Sequence, residues 1–280
     1  MNSSHKPKRG IPEETVQAAR QLYNFQNVYI LIGDHLNDIL ADVNMQMFNP
    51  VEDCDAEKLF LLSMVTAFQY AESLPDMMAS DAMLKRVDWK YALHLPVYRQ
   101  RFEPTAFCTF RQNLYSSRQG LKEFTRLLER LDQIGLYTKK TLNHLTSDTA
   151  LLTVCEITRL HQLSVGMRSA LSMLVAASPE WISANMPPYW FERYSKRSSF
   201  LLTHLTCDNM AEEAAKLGAD MRYLLTALDE CSTTSLVDRT AINQITRLFD
   251  SQFTIADGQL SWRLPGCEYC SRNSPKEFNT

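Results

Sequence analysis

The sequence predicts an all-α protein, with a helix-turn-helix-like N-terminal bundle, a second helical bundle and a short strand-like C-terminal tail. Three observations carry that expectation. Apolar residues recur at helical spacing from Val16 to Phe249. Gly accounts for only 8 of 280 residues, well short of the roughly 7 % of average usage, so the tight turns of sheet-rich folds are poorly supplied. Only the segment 253–264 alternates with the period of a strand, around Asp257-Gly258 as a hairpin turn.

The elements follow in order. Residues 1–12 carry Ser, Lys, Pro and Gly with little to bury and are expected to form a flexible lead. Val16, Leu22 and Phe25, then Ile32, Leu36, Ile39, Leu40 and Val43, predict helices over 14–25 and 29–47. The stretch 55–72 is apolar on nearly every face, through Leu59, Leu62, Val65 and Phe68, as a central buried helix is. Pro75 suits the first turn of a helix reaching Arg86. Residues 88–95 read as a short aromatic helix ended by Pro96, and Pro104–Ser117 as a helix burying Phe107, Phe110 and Leu114. Leu121, Phe124, Leu127, Leu128, Leu131 and Ile134 form the stripe of the next helix, with Gly135 at its C-terminal cap. Helices over 142–163 and 165–177 follow. Ser178-Pro179-Glu180 supplies an N-cap, a first-turn Pro and an acid. Asp208 is placed to cap the stripe Met210 to Leu228, and Ser235 or Asp238 to start a last helix through Ile242, Ile245, Leu248 and Phe249. The expected division is 1–12 lead, 13–118 helix-turn-helix-like domain, 119–252 helical domain and 253–280 tail.

Several functional classes lack their first requirement. There is no GxSxG, GxxxxGK[ST], GxGxxG or HExxH, and no repeat with a period of 20–50 residues. The seven cysteines are odd in number and scattered, which fits reduced thiols in a cytoplasm. The basic N-terminus is followed by no apolar segment, and the densest apolar run, 59–68, is broken by Ser63 and Thr66, so neither a signal peptide nor a membrane span is expected. Cys267-Glu268-Tyr269-Cys270 is the single CxxC. A structural zinc site needs four ligands, so Cys267 and Cys270 are weak metal candidates and no cofactor is expected.

Charge is informative once it is read locally. The net charge is only −3. Between residues 50 and 81, however, seven acids (Glu52, Asp53, Asp55, Glu57, Glu72, Asp76, Asp81) face one base, Lys58. Between 82 and 130, ten bases (Lys85, Arg86, Lys90, Arg99, Arg101, Arg111, Arg118, Lys122, Arg126, Arg130) face four acids (Asp88, Glu103, Glu123, Glu129). A basic surface over short helices suits phosphate binding by counterion release. The competing reading is that the two blocks pair with each other inside one domain.

Phe68-Gln69-Tyr70-Ala71-Glu72-Ser73-Leu74-Pro75-Asp76, then Arg86-Val87-Asp88-Trp89-Lys90-Tyr91-Ala92-Leu93-His94-Leu95, then 107–114 around Phe110-Arg111, resembles the InsH-type N-terminal domain of bacterial insertion-sequence DDE transposases. Ser178-Pro179-Glu180-Trp181, Pro187 to Tyr194 and Leu217-Gly218-Ala219-Asp220 look like the helical segment that follows it in that family. The resemblance spans roughly residues 12–260. It departs at Met77 and Met78, where a polar or basic pair is commoner, and at the CxxC. The family transposes DNA, with three carboxylates on an RNase H-like fold holding two divalent metals. That fold follows the region matched here, so the chain is expected to bind DNA without catalysis, and no carboxylate is assigned to the triad.

The resemblance implies double-stranded DNA as partner, terminal-repeat or related in sequence, with a homodimer or a full-length transposase as a further partner. Residues 75–118 would do the binding. The helix 104–117 would enter the groove with Arg111, Gln112 and Arg118, while Lys85, Arg86, Lys90, Arg99 and Arg101 hold phosphates. Trp89, Tyr91, Phe107 and Phe110 are expected in the core rather than on bases. The alternative is a helical oligomerisation or regulatory protein derived from a transposase, which uses the stripes 121–134 and 210–228 on a protein partner.

Overall fold

A computed structural model of the chain describes residues 10–48, 55–98, 102–137, 145–195, 209–230 and 239–263. Among these residues there are thirteen α-helices and one two-stranded hairpin, so the fold is all-α with a strand-like tail. The chain divides into two compact units, Met1–Val154 and Cys155–Thr280.

In the first unit, α1 (Glu13–Leu22) starts behind Pro12, whose carbonyl accepts from the amides of Thr15 and Val16. Ile11 packs against Ala19, Ile30 and Tyr91, so the ordered chain reaches back into the expected lead. The helix expected over 29–47 is three pieces: α2 (Val28–Asp34), α3 (Leu36–Ile39) and a 3₁₀ turn, Met45–Phe48. Local side chains account for the breaks. Asn27 Oδ1 accepts from the amides of Tyr29 and Ile30, fixing the start. His35, at φ −106° and ψ 12°, leaves helical geometry between α2 and α3. Asn44 Oδ1 bonds the amide of Gln46, an Asx turn that competes with helix.

Asp55 caps α4 (Ala56–Glu72), which is buried along almost its whole length from Leu59 to Tyr70. Ser73, at φ 55°, ends it, and Leu74 N–H returns to Gln69 O. Then come α5 (Asp76–Lys85), α6 (Val87–Ala92), α7 (Pro104–Tyr115) and α8 (Arg118–Gln133). Helix α6 stops before the expected residue 95 because His94 adopts φ 53°. Helix α8 belongs to this unit rather than to the second bundle. Phe124 meets Phe48 edge-on at 6.1 Å, and a Cβ at Gly120 would stand 2.5 Å from Met47 O, an approach only Gly permits.

The second unit begins within α9 (Ser147–Ala177), a single 31-residue helix where two were expected. Gly166 lowers helix propensity, but no Pro or cap interrupts the run. Then follow α10 (Pro179–Asn185), α11 (Tyr189–Ser195), α12 (Met210–Asp229) and α13 (Arg239–Gln252). Ser178 precedes α10 as expected but makes no side-chain capping bond. Asp208, Ser235 and Asp238 lie outside the described residues. Leu163, Met167 and Leu174 meet Ile182, Trp190, Leu217, Met221 and Phe249 in one core. The hairpin β1 (Phe253–Ala256) and β2 (Gln259–Trp262) is antiparallel about Asp257-Gly258, both at positive φ (51° and 79°) as a two-residue turn requires. Phe253 stacks on Phe249 at 5.3 Å, so the hairpin is part of this unit's core. Among the described residues no helix is long and apolar enough to cross a membrane.

His161 is buried in this unit, and desolvation first, then the Arg168 charge, lower its pKa below the ordinary 6.5. The unfolded chain therefore takes up the proton more readily as pH falls through 6.5, and stability present above that value is lost below it. The urea midpoint of the second unit is expected to fall between pH 7 and pH 5, and His161→Gln to flatten that dependence. A pH dependence unaltered in the variant would refute the assignment.

Candidate nucleic-acid interface

Pro104 presets the backbone at the first position of α7. Phe107, Phe110 and Leu114 recur at helical spacing and are buried. At roughly 100° per residue the opposite sector carries Thr105, Cys108, Thr109, Gln112 and Ser116, all exposed and none charged. Thr109 Oγ1 donates to Thr105 O at 3.1 Å and Ser116 Oγ to Asn113 O at 2.7 Å, which leaves Gln112 as the stripe's one side-chain amide. The stripe borders a groove of about 320 Å³ lined by Thr105, Thr109 and Asn113 of α7, Lys58 and Leu59 of α4, and Phe48.

Several residues nominated from sequence lie elsewhere. Arg111 is 4 % exposed, and its two terminal nitrogens donate to Asp76 Oδ1 and Oδ2 at 2.8 and 2.7 Å. Gln69 Nε2 donates to the same Oδ1 at 2.9 Å. The expectation that Arg111 enters a groove is corrected: its charge is spent on a buried carboxylate in the first turn of α5. Lys90 is 3 % exposed, and its ammonium donates to the carbonyls of Leu84 and Val97, so it holds the end of α5 to the following chain rather than a phosphate. Burial pulls its pKa below the usual lysine value.

Arg86 is half-buried and ion-paired. It donates to Glu72 at 2.5 Å and in a fork to Asp88 at 3.0 and 2.7 Å, and lies 5.0 and 4.9 Å from the ring centres of Tyr29 and Trp89. Tyr29 Oη and Trp89 Nε1 donate to the other oxygen of Glu72. Trp89, Tyr91, Phe107 and Phe110 are all buried. Lys85 is exposed but pairs with Asp81 at 2.9 Å. Arg126 pairs with Glu123, and Arg130 with Asp42. Among the described residues, five of the ten bases are thus ion-paired within their own unit, and three of them, Lys85, Arg86 and Arg111, pair with acids of the 50–81 block.

Gln112 and Arg118 are exposed, as a contact requires. Arg99, Arg101, Cys267 and Cys270 lie outside the described residues. Lys58 and Lys122 were not among the nominated residues, and among the described residues Lys58, Arg118 and Lys122 are exposed cations that make no ion pair. Lys122 was visible as an exposed position of an amphipathic helix. Lys58 was not, because 47 residues separate it from Thr105. Among the described residues no group of three or more His, Cys, Asp or Glu could hold a metal ion. Comparison with protein-family models, with curated proteins and with solved structures gives no match for the chain.

Proposed function

We propose that the first unit binds duplex DNA as the DNA-binding portion of an insertion-sequence transposase, with terminal-repeat or related DNA as its ligand. The supporting observation is the uncharged polar stripe of α7, with Lys58 beside its groove and Arg118 and Lys122 next in the chain. A helix about 10–12 Å across fits a major groove about 12 Å wide. On such a helix hydroxyl and amide groups reach base edges without repelling phosphates, and neighbouring cations fix position on the backbone. The contact set is Gln112 and the threonines of α7 on bases, with Lys58, Arg118 and Lys122 on phosphates. The proposed role is binding, and no side chain is assigned to catalysis.

Fluorescence anisotropy with a labelled 20-bp duplex across a salt series tests this. Arg118→Ala with Lys122→Ala should weaken binding and reduce the slope of log K against log salt by about 2, since each phosphate contact contributes about 0.9. Unchanged affinity and slope would overturn the interface. A second reading, a helical assembly or regulatory protein, is favoured by one feature of the second unit. This is an apolar groove of about 310 Å³ lined by Leu171, Val175, Ile182, Met186, Trp190 and Phe191, with Phe191 55 % exposed. A stable oligomer in sedimentation together with no retention of any duplex would select that reading.

A further inference from the structure

From the side chains left on the α7 surface we infer that this helix reads A·T base pairs and that Gln112 is the residue that fixes the preference. The inference rests on the DNA-binding reading given above and names the class of duplex that reading leaves open. In the major groove guanine is read best by a forked or pointed cation on its O6 and N7 acceptors, cytosine by a carboxylate on its N4 amine, and adenine by an Asn or Gln amide on N6 and N7. Thymine offers its methyl group to small apolar contacts. Each base thus asks for a different side chain, and the exposed sector of α7 holds only some of them.

The sector contains Thr105, Cys108, Thr109, Gln112 and Ser116. Its amide suits adenine, and its threonine methyls and thiol suit thymine methyls. It has no cation. The one Arg of α7, Arg111, is locked in its bidentate pair with Asp76 on the buried side and cannot serve guanine. It has no carboxylate either. Glu103, at the N-cap, falls roughly 180° around the helix from Gln112, on the side of Phe107 and Leu114. Gln112 is exposed and donates to no neighbour among the described residues, so both ends of its amide are available to a base. Thr109 and Ser116 return their hydroxyl protons to backbone carbonyls, which leaves Gln112 as the stripe's only bidentate reader. The stripe therefore supplies a bidentate reader for A·T pairs and neither the cation nor the carboxylate that reads G·C, its hydroxyls serving either pair.

The test is selection by the full chain from a library of duplexes with a randomised 12-bp centre, at two salt concentrations, with wild type and Gln112→Arg in parallel. Circular dichroism and thermal melting check that the surface substitution leaves the fold unchanged. The expected result is enrichment of A·T pairs over a core of a few base pairs, with a run of A·T bound about ten-fold or more tightly than a G·C run of equal length. Gln112→Arg should move at least one enriched position from A to G. Enrichment of G·C pairs, or equal binding of both runs, would overturn the inference while leaving duplex binding in place. A Gln112→Arg chain that keeps the wild-type A·T pattern would remove Gln112 as its source. Retention of no duplex at either salt concentration would remove the underlying DNA-binding reading and this inference with it.

Discussion

Replacing Arg111 by Ala should lower the stability of the first unit by about 3–5 kcal/mol, because it leaves the Asp76 carboxylate buried without its partner. Both side chains are nearly inaccessible, and the pair is bidentate at 2.7 and 2.8 Å. It joins α5 to α7 and, through Gln69 Nε2, to α4. Asp76→Ala should cost a similar amount by stranding the guanidinium. Asp76→Leu combined with Arg111→Met should recover most of the loss, since a matched apolar pair carries no desolvation penalty. Thermal and urea unfolding measure all three. Equal stability of Arg111→Ala and wild type would refute the internal pairing and return Arg111 to the surface as a candidate for DNA contact. Any DNA affinity of the folded double variant should match wild type, because neither residue belongs to the proposed contact set.

The second large effect is expected at Asp220 in α12. Tyr189 Oη, Trp190 Nε1 and Tyr194 Oη, all from α11, donate to its carboxylate at 2.9, 3.1 and 2.5 Å, and Arg193 Nε lies 3.4 Å away. Burial, then the Asp220 charge, raise the Tyr194 pKa well above the usual phenol value, so the hydroxyl keeps its proton and remains a donor. Asp220→Ala removes the acceptor of three hydrogen bonds and one partner of Arg193. The expected cost is about 3–5 kcal/mol, the range for losing one side of a buried charged cluster. Amide hydrogen exchange in residues 210–228 should accelerate in step, and wild-type protection in the variant would refute the clamp. Asp220→Asn should fall between the two, because its oxygen still accepts while its amide nitrogen faces other donors.

The secondary structure was legible wherever a side-chain pattern determines it locally. The apolar run of α4, the Pro104 start of α7 and the Asp257-Gly258 turn are each set by neighbours in sequence, and each stands where expected. The failures are tertiary or lie in short-range competition. Helix 29–47 breaks because His35 and Asn44 prefer local turns over a continuing ladder. Helix α8 joins the first unit because Gly120 admits the Met47 carbonyl, which no periodicity reveals.

The candidate site was less legible, and Arg111 shows why. It lies four residues after Phe107 and three before Leu114, the spacing of the buried face, so its burial could have been inferred. Its charge argued the other way, and only Asp76, 35 residues earlier, resolves the conflict. The same holds for Arg86 with Glu72, and for Lys90 with two carbonyls. Gln69, Glu72, Asp76, Arg86, Asp88 and Arg111, all within the strings 68–76, 86–95 and 107–114, tie α4, α5, α6 and α7 to one another. Those strings describe a frame, and the residues proposed to read DNA lie on its uncharged outer stripe.

That inward pairing also bears on how the first unit would meet DNA in time. Arg86, Arg111, Arg126 and Arg130 each sit against a carboxylate of the same unit, so their fields cancel within a few ångströms and these four add little positive potential beyond a Debye length. On the proposed reading, encounter with a duplex would gain little steering from these four, and the approach would resemble that of a neutral pair more than that of a polycation drawn along a duplex. Discrimination between sites would reside in how long the helix stays once seated, set by the fit of a few polar side chains, rather than in how often it arrives.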